Sequence, residues 1–201
     1  MENRLIHSAA LFLSCKLNRY AGKGGLELKK MIYGMEVFLI NASKLIIIYL
    51  LAAVLGTFVQ TLIINAAYIM IKRYSFGLHA LSSTVCTVVS CCMFAIIPWL
   101  LHGVGVGSAV IAAAFGLIIF CLWRYAPADT KARPLIGRRL RAHMRRKAIA
   151  CGVALMIIAL FVPDESVKLL LLMGAAYQTV SILPLSYKIL KRSEKNYEAH
   201  E

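Results

Sequence analysis

The chain is 201 residues long, 60% apolar, and carries a formal net charge of +14. Its apolar residues run in blocks about twenty long, enough for an α-helix to cross a bilayer, so composition excludes a water-soluble domain and predicts one compact integral membrane bundle. The charge does not point to nucleic acid: nine of the 23 basic residues fall between Arg124 and Lys147 and ten more lie before Met31 or after Tyr187, where flanking cations fix orientation during insertion and attract anionic headgroups.

Residues 3–19 predict an amphipathic helix lying on the membrane surface. Leu5, Ile6, Ala9, Phe12, Leu13 and Leu17 share one face, opposite Arg4, His7, Ser8, Ser14 and Asn18. The run AGKGG at 21–25 then breaks the helix. This first segment lacks an A-x-A cleavage site and reads as part of the protein, not as a signal peptide. From Met31 to Ile71 the chain is almost continuously apolar and too long for one span, which predicts two with a break near Gly56. Glu36 and Lys44 then fall inside the first span, either paired or reaching toward an interface.

Four more spans are predicted at about 84–101, 108–123, 148–162 and 167–190, with Pro98 and Pro184 as candidate kinks. The expected fold is therefore all-α, with six transmembrane helices behind an N-terminal amphipathic interfacial helix. It forms a single membrane-embedded domain: the interfacial segment at 1–30, the bundle at 31–190 and a cytoplasmic tail at 191–201. Connections 102–107 and 163–166 contain no Lys or Arg. The alternate connections are basic, which predicts a plasma-membrane protein with both termini, 72–83 and 124–147 in the cytoplasm. The six cysteines, Cys15, Cys86, Cys91, Cys92, Cys121 and Cys151, form no C-x-x-C pair and read mostly as small hydrophobes.

One stretch carries candidate chemistry. In YSFGLHALSSTVC (74–86), His79 precedes Cys86 by seven residues. On one unbroken helix that spacing climbs about 10.5 Å, too far for a hydrogen bond. If a helix instead begins near 82–84, capped by Ser82 or Ser83, Cys86 falls in its first turn and His79 folds back from the preceding loop, with Gly77 freeing the backbone. Amide N–H groups at a helix start favour negative charge on such a sulfur, Lys72 and Arg73 add positive potential, and the imidazole takes and returns a proton. On the residues alone this competes with a loop histidine and a buried cysteine, and a zinc site lacks further ligands nearby. A non-enzymatic small transporter or scaffold, using Glu36 and Lys44 as intramembrane charges, is the alternative function.

IKRYSFGLHALSSTVC (71–86) resembles a signature of the AgrB family, the accessory gene regulator B proteins of Gram-positive bacteria: a basic pair, Gly-x-His, a Ser-containing stretch and Cys seven residues after the His. RYAPADTKARPL (124–135) resembles the family's second signature. The resemblance implies a membrane cysteine endopeptidase, acting as a homodimer without cofactor, that processes an AgrD-like quorum-sensing propeptide. His79 and Cys86 become the catalytic pair. The propeptide's acidic tail is released, the signal segment stays as a thioester on Cys86, and an internal Cys or Ser closes a thiolactone or lactone. Lys72, Arg73, Lys131 and Arg133 match basic positions and are expected to bind substrate, while Gly77, Ser82 and Ser83 are expected to shape the site. The basic pair is Lys-Arg where relatives often carry two arginines, and Ala132 interrupts the later basic run. Asp129 is read as a solvated loop acid.

Overall fold

The computed structural model describes residues 2–77, 83–129, 135 and 137–190. It is all-α. Among the described residues the only strand-like pairing is an isolated parallel bridge between Phe76 and Ala128. Contacts divide the chain into two compact units, 1–50 and 51–201.

In the first unit, α1 (Glu2–Ala21) ends where Asn18 and Gly22 end it. Gly22 takes φ +59° and donates its N–H to the Asn18 carbonyl, while the Asn18 side chain brackets Lys23 with two hydrogen bonds of 2.8 Å. α2 (Gly25–Val54) starts before Met31, so its first turns are more polar than the predicted span. Two polar residues within its apolar run bond within their own helix: Asn41 donates to Val37 O and Ser43 to Ile40 O. Glu36 meets Nδ1 of His7 on α1. Lys44, the partner offered by the sequence, lies eight residues along the same helix, a rise of about 12 Å. The carboxylate is thus tied to α1.

Near the start of the second unit the chain turns at Gly56, φ +70°, where Thr57 N–H bonds Ala52 O at 2.8 Å. α3 (Phe58–Ser75), α6 (Ser108–Tyr125), α7 (Arg138–Phe161) and α8 (Glu165–Ile182) pack together, with α3 against α8 and α6 against α7 as the broadest pairings. Their shared core includes Ile71, Ile111, Phe115, Leu122, Leu155 and Ile182, interleaved with small residues. Gly174 of α8 lies against Ile64 O of α3 so closely that a Cβ would sit 2.4 Å from it. Gly152 of α7 similarly admits Leu122 of α6. Small residues at crossing points let membrane helices approach at the backbone.

α2 and α6 are each long and apolar enough to cross a membrane. On α6, Val110, Leu117, Phe120 and Trp123 are all exposed, an apolar surface that water would not tolerate and lipid would. The family-scale expectation of a membrane protein holds at this level.

Two predicted prolines behave differently from simple kinks. α4 (Ser83–Cys91) runs through a π turn (Cys92–Ile96) into α5 (Ile97–Leu100), which contains Pro98. Pro98 has no N–H to offer Phe94 O four residues back. Thr61 of α3, fully buried, donates its hydroxyl to that oxygen at 2.6 Å. Thr61→Val keeps the shape and leaves the carbonyl unpaired, which should cost about 1–3 kcal/mol. A thermal unfolding curve in detergent should show a lowered midpoint; an unchanged one would remove Thr61 from this role. Pro184 terminates rather than bends: α8 ends at Ile182 and α9 (Pro184–Ile189) begins with the proline in its first turn.

α7 also begins ten residues before the predicted span, so Arg138–Lys147 is helix and not loop. At the start of α8, Asp164 accepts hydrogen bonds from Ser166 N–H and Val167 N–H. Lys168, buried in the next turn, donates to Ser108 Oγ at 2.8 Å. A cavity of about 320 Å3 here joins the start of α3, the end of α5 and the start of α8 through Gln60, His102 and Asp164. The unit therefore has two distinct ends, and the other is basic.

Candidate active site at the basic end of the bundle

Cys86 is the fourth residue of α4, in its first turn, and is half-buried. Phe94, eight residues later, packs edge-on to Tyr68 of α3, ring centroids 5.2 Å apart. At 1.5 Å per residue, Cys86 lies about 12 Å from that contact, toward the end where α3 finishes. α4 begins at Ser83, within the 82–84 window expected for the helix start. His79, Ser82, Lys131 and Arg133 lie outside the described residues. All six cysteines are free thiols.

Lys72 and Arg73 occupy the last turn of α3, where cations complement the helix dipole. Lys72 Nζ donates to Tyr68 OH at 2.6 Å, and Arg73 lies over the Tyr74 ring, as does Lys147 of α7. These two positions are thus engaged with tyrosines of their own helix.

Beyond them the backbone does something unusual. Phe76 adopts φ +58° and ψ −122°, a conformation that normally belongs to glycine, and Gly77 follows at φ +103°. A Cβ on Gly77 would lie 2.6 Å from Ser181 Oγ. The turn is fastened from both sides. Ala128 N–H donates to Ser75 O at 2.9 Å and Gly77 N–H to Ala128 O at 3.1 Å. Gln178, fully buried on α8, gives both amide hydrogens to this turn, at 2.7 Å to Ser75 Oγ and 2.6 Å to Phe76 O.

The segment 126–129 is held in turn by Arg145 Nε, which donates to Ala126 O at 2.8 Å, and by Tyr187 OH, which donates to Asp129 O at 2.9 Å. Asp129 is buried, at 4% exposure, which corrects its reading as a solvated loop acid. Tyr187 covers it from α9, 58 residues along the chain. A cavity of about 390 Å3 opens beside it, lined by Arg124, Arg141, Arg145 and Asp129 with apolar walls from Pro127, Ile182 and Pro184. Three guanidiniums beside one carboxylate give it a net positive lining, which suits an anionic group. The sequence showed a basic run here but not which arginines converge. Gln178, Ser75, Arg124, Arg141 and Arg145 have no local signal marking them.

Such an end can hold a nucleophilic sulfur at a helix start, where the dipole favours negative charge, and draw an acidic chain alongside. No group of three or more candidate metal ligands occurs among the described residues.

Comparison with known proteins gives the arrangement a family. The accessory gene regulator B model matches residues 10–182. An AgrB-like protein of Clostridium acetobutylicum is 37% identical over 200 residues, covering 100% of this chain and 96% of that protein. An AgrB-like protein of Listeria monocytogenes is 39% identical over 172 residues, 86% of this chain and 84% of the relative. The accessory gene regulator protein B of Staphylococcus haemolyticus is 32% identical over 186 residues, 90% and 94% of the two chains. No solved structure matches significantly. With both signatures in place and nearly the whole chain aligned, the protein belongs to the AgrB family, the accessory gene regulators of quorum sensing.

Proposed function

We propose that the protein is a six-span plasma-membrane cysteine endopeptidase that removes the acidic tail of an AgrD-like propeptide and passes the remainder on to cyclisation. The observation that carries this reading is the thiol in the first turn of α4, at the bundle end that also bears the three-arginine cavity. His79 takes the Cys86 proton, and the sulfur attacks the carbonyl before the tail. The C–N bond breaks as the proton passes to the departing amine, leaving a thioester on Cys86. An internal thiol or hydroxyl of the peptide then adds to that thioester, and Cys86 leaves as the ring closes. The thioester conserves acyl reactivity, so no ATP is required, and a site at the membrane surface limits competing water.

Positive residues gather in cytoplasmic segments, so the basic end, with Cys86 and His79, faces the cytoplasm among anionic headgroups. The enzyme works there as a homodimer, with Lys72, Arg73, Lys131 and Arg133 contributing to substrate attraction. Co-expression with the propeptide and mass spectrometry of the products tests the reading. The expected pair is a linear tail fragment and a cyclic peptide one water lighter than its linear counterpart; an untouched propeptide would refute it.

The cavity yields a separate expectation. Arg124→Glu reverses one charge facing the tail, so KM for the full-length propeptide should rise about tenfold, equivalent to about 1.4 kcal/mol, with kcat little changed. The difference should shrink in high salt, because screening weakens surface attraction. Equal KM values at low salt would detach the tail from this cavity.

A further inference from the structure

We propose that Gln178 is a positioning residue for the peptidase: it clamps the strained turn Ser75–Phe76–Gly77, which sets the direction in which the chain leaves α3 two residues before His79. The proposal rests on the peptidase reading above. Three observations converge on it.

Phe76 stands in a backbone conformation that costs a non-glycine residue about 1–3 kcal/mol and persists only where surrounding structure imposes it. Such outliers concentrate where a precise chain direction matters. Gly77 is likewise confined, since any side chain there would strike Ser181.

The clamp also has fixed polarity. Ser75 Oγ already donates to Ile71 O at 3.0 Å, so toward Gln178 it can only accept, and Phe76 O is an acceptor as well. Both neighbours therefore demand the amide nitrogen, which settles the orientation of the Gln178 side chain. Its Oε1 is consequently turned to a place where it is buried and finds no donor among the described residues.

That orphan oxygen separates position from stability. Leaving a buried acceptor unpaired costs about 1–3 kcal/mol, comparable to what the two donated bonds contribute. An apolar side chain of the same length removes the cost together with the bonds. Gln178 thus adds little net folding energy, and its measurable effect falls on where residues 75–77 sit. Two further bonds, Ala128 N–H to Ser75 O and Gly77 N–H to Ala128 O, hold the other flank of the turn but cannot reach Phe76 O.

The test uses full-length protein with Cys86 as its one remaining cysteine, comparing Gln178→Met, His79→Ala and the double variant. Gln178→Met should lower kcat about 30-fold while KM stays within about twofold. The rate of Cys86 alkylation by iodoacetamide should shift toward the His79→Ala value, and the double variant should show no further shift, because the two side chains act through one contact. Wild-type turnover in Gln178→Met, or alkylation effects that simply multiply, would overturn the proposal. Should Gln178→Met fail to accumulate, Ser75→Ala removes one of the two acceptors: a loss of about threefold to tenfold in kcat supports the clamp and no loss overturns it. The alkylation measurement needs no propeptide. Coupling without propeptide cleavage by wild type would refute the peptidase reading and keep the clamp; cleavage without coupling would refute the clamp alone.

Discussion

Under the proposed peptidase reading, Cys86→Ala should abolish propeptide cleavage, by about 10⁴-fold or more, while the protein still inserts and accumulates. The size follows from the chemistry assigned to one atom. Without the sulfur no acyl-enzyme forms, and water at the membrane surface has no activated substitute for it. Cys86→Ser shares the outcome, since an alcohol beside an imidazole suited to a thiol is rarely ionised at neutral pH. Packing is a small concern, because Cys86 is half-buried in a first helical turn and alanine is a good helix former. An immunoblot of membrane fractions beside a mass-spectrometric cleavage assay reads both halves of the expectation. Cleavage at even a few per cent of wild type in the alanine variant would move the nucleophile elsewhere.

Gly174→Ala gives the largest expected structural effect. Its Cβ would lie 2.4 Å from Ile64 O, 2.7 Å from Ala67 Cβ and 3.1 Å from Tyr68 N. Two of these three atoms belong to the α3 backbone, so no side-chain rotation relieves the contact and the helices must part. Overpacking of this kind costs about 1–3 kcal/mol or more. Replacing glycine inside a helix returns about 1 kcal/mol through propensity, which offsets only part of it. With a net cost of about 2 kcal/mol, the unfolding midpoint in detergent should fall by about 4–8 °C, at about 2–4 °C per kcal/mol for a chain of this size. A midpoint at or above wild type would mean that α3 and α8 do not cross at this glycine.

Local punctuation was legible before any coordinates. Gly56 marks the turn between α2 and α3, and AGKGG ends α1. Each acts through neighbours one to five residues away, so the signal and its partner appear in one window. The start of α4 around Ser83 belongs to the same class, and with it the place of Cys86. Features that depend on distant chain were not legible. Glu36 pairs with His7 on another helix, although Lys44 is the nearer cation in sequence within its span. Asp129 is buried because Tyr187 comes back over it. Gln178 reads as one polar residue in an apolar run until Ser75 and Phe76 arrive beneath it.

Charge misled in a different way. Arg138–Lys147 was assigned to a loop because basic residues do not enter the hydrocarbon. Arg and Lys are nonetheless strong helix formers, and nothing stops a helix from continuing into water beyond the bilayer. Hydropathy therefore located the apolar part of α7 and missed its basic N-terminal extension. The candidate site divided along the same line: its nucleophile and flanking cations were readable as a motif, whereas the arginines of the adjoining cavity were visible only as part of a charged run.

The π turn at Cys92–Ile96 fits one residue more into its loop of helix than an α turn does. Everything N-terminal to it is therefore rotated about 100° around the axis relative to an uninterrupted coil continued back from Pro98. The compass bearing of the thiol is decided at a proline twelve residues downstream and by a hydroxyl on a neighbouring rod, not by the residues that surround the sulfur.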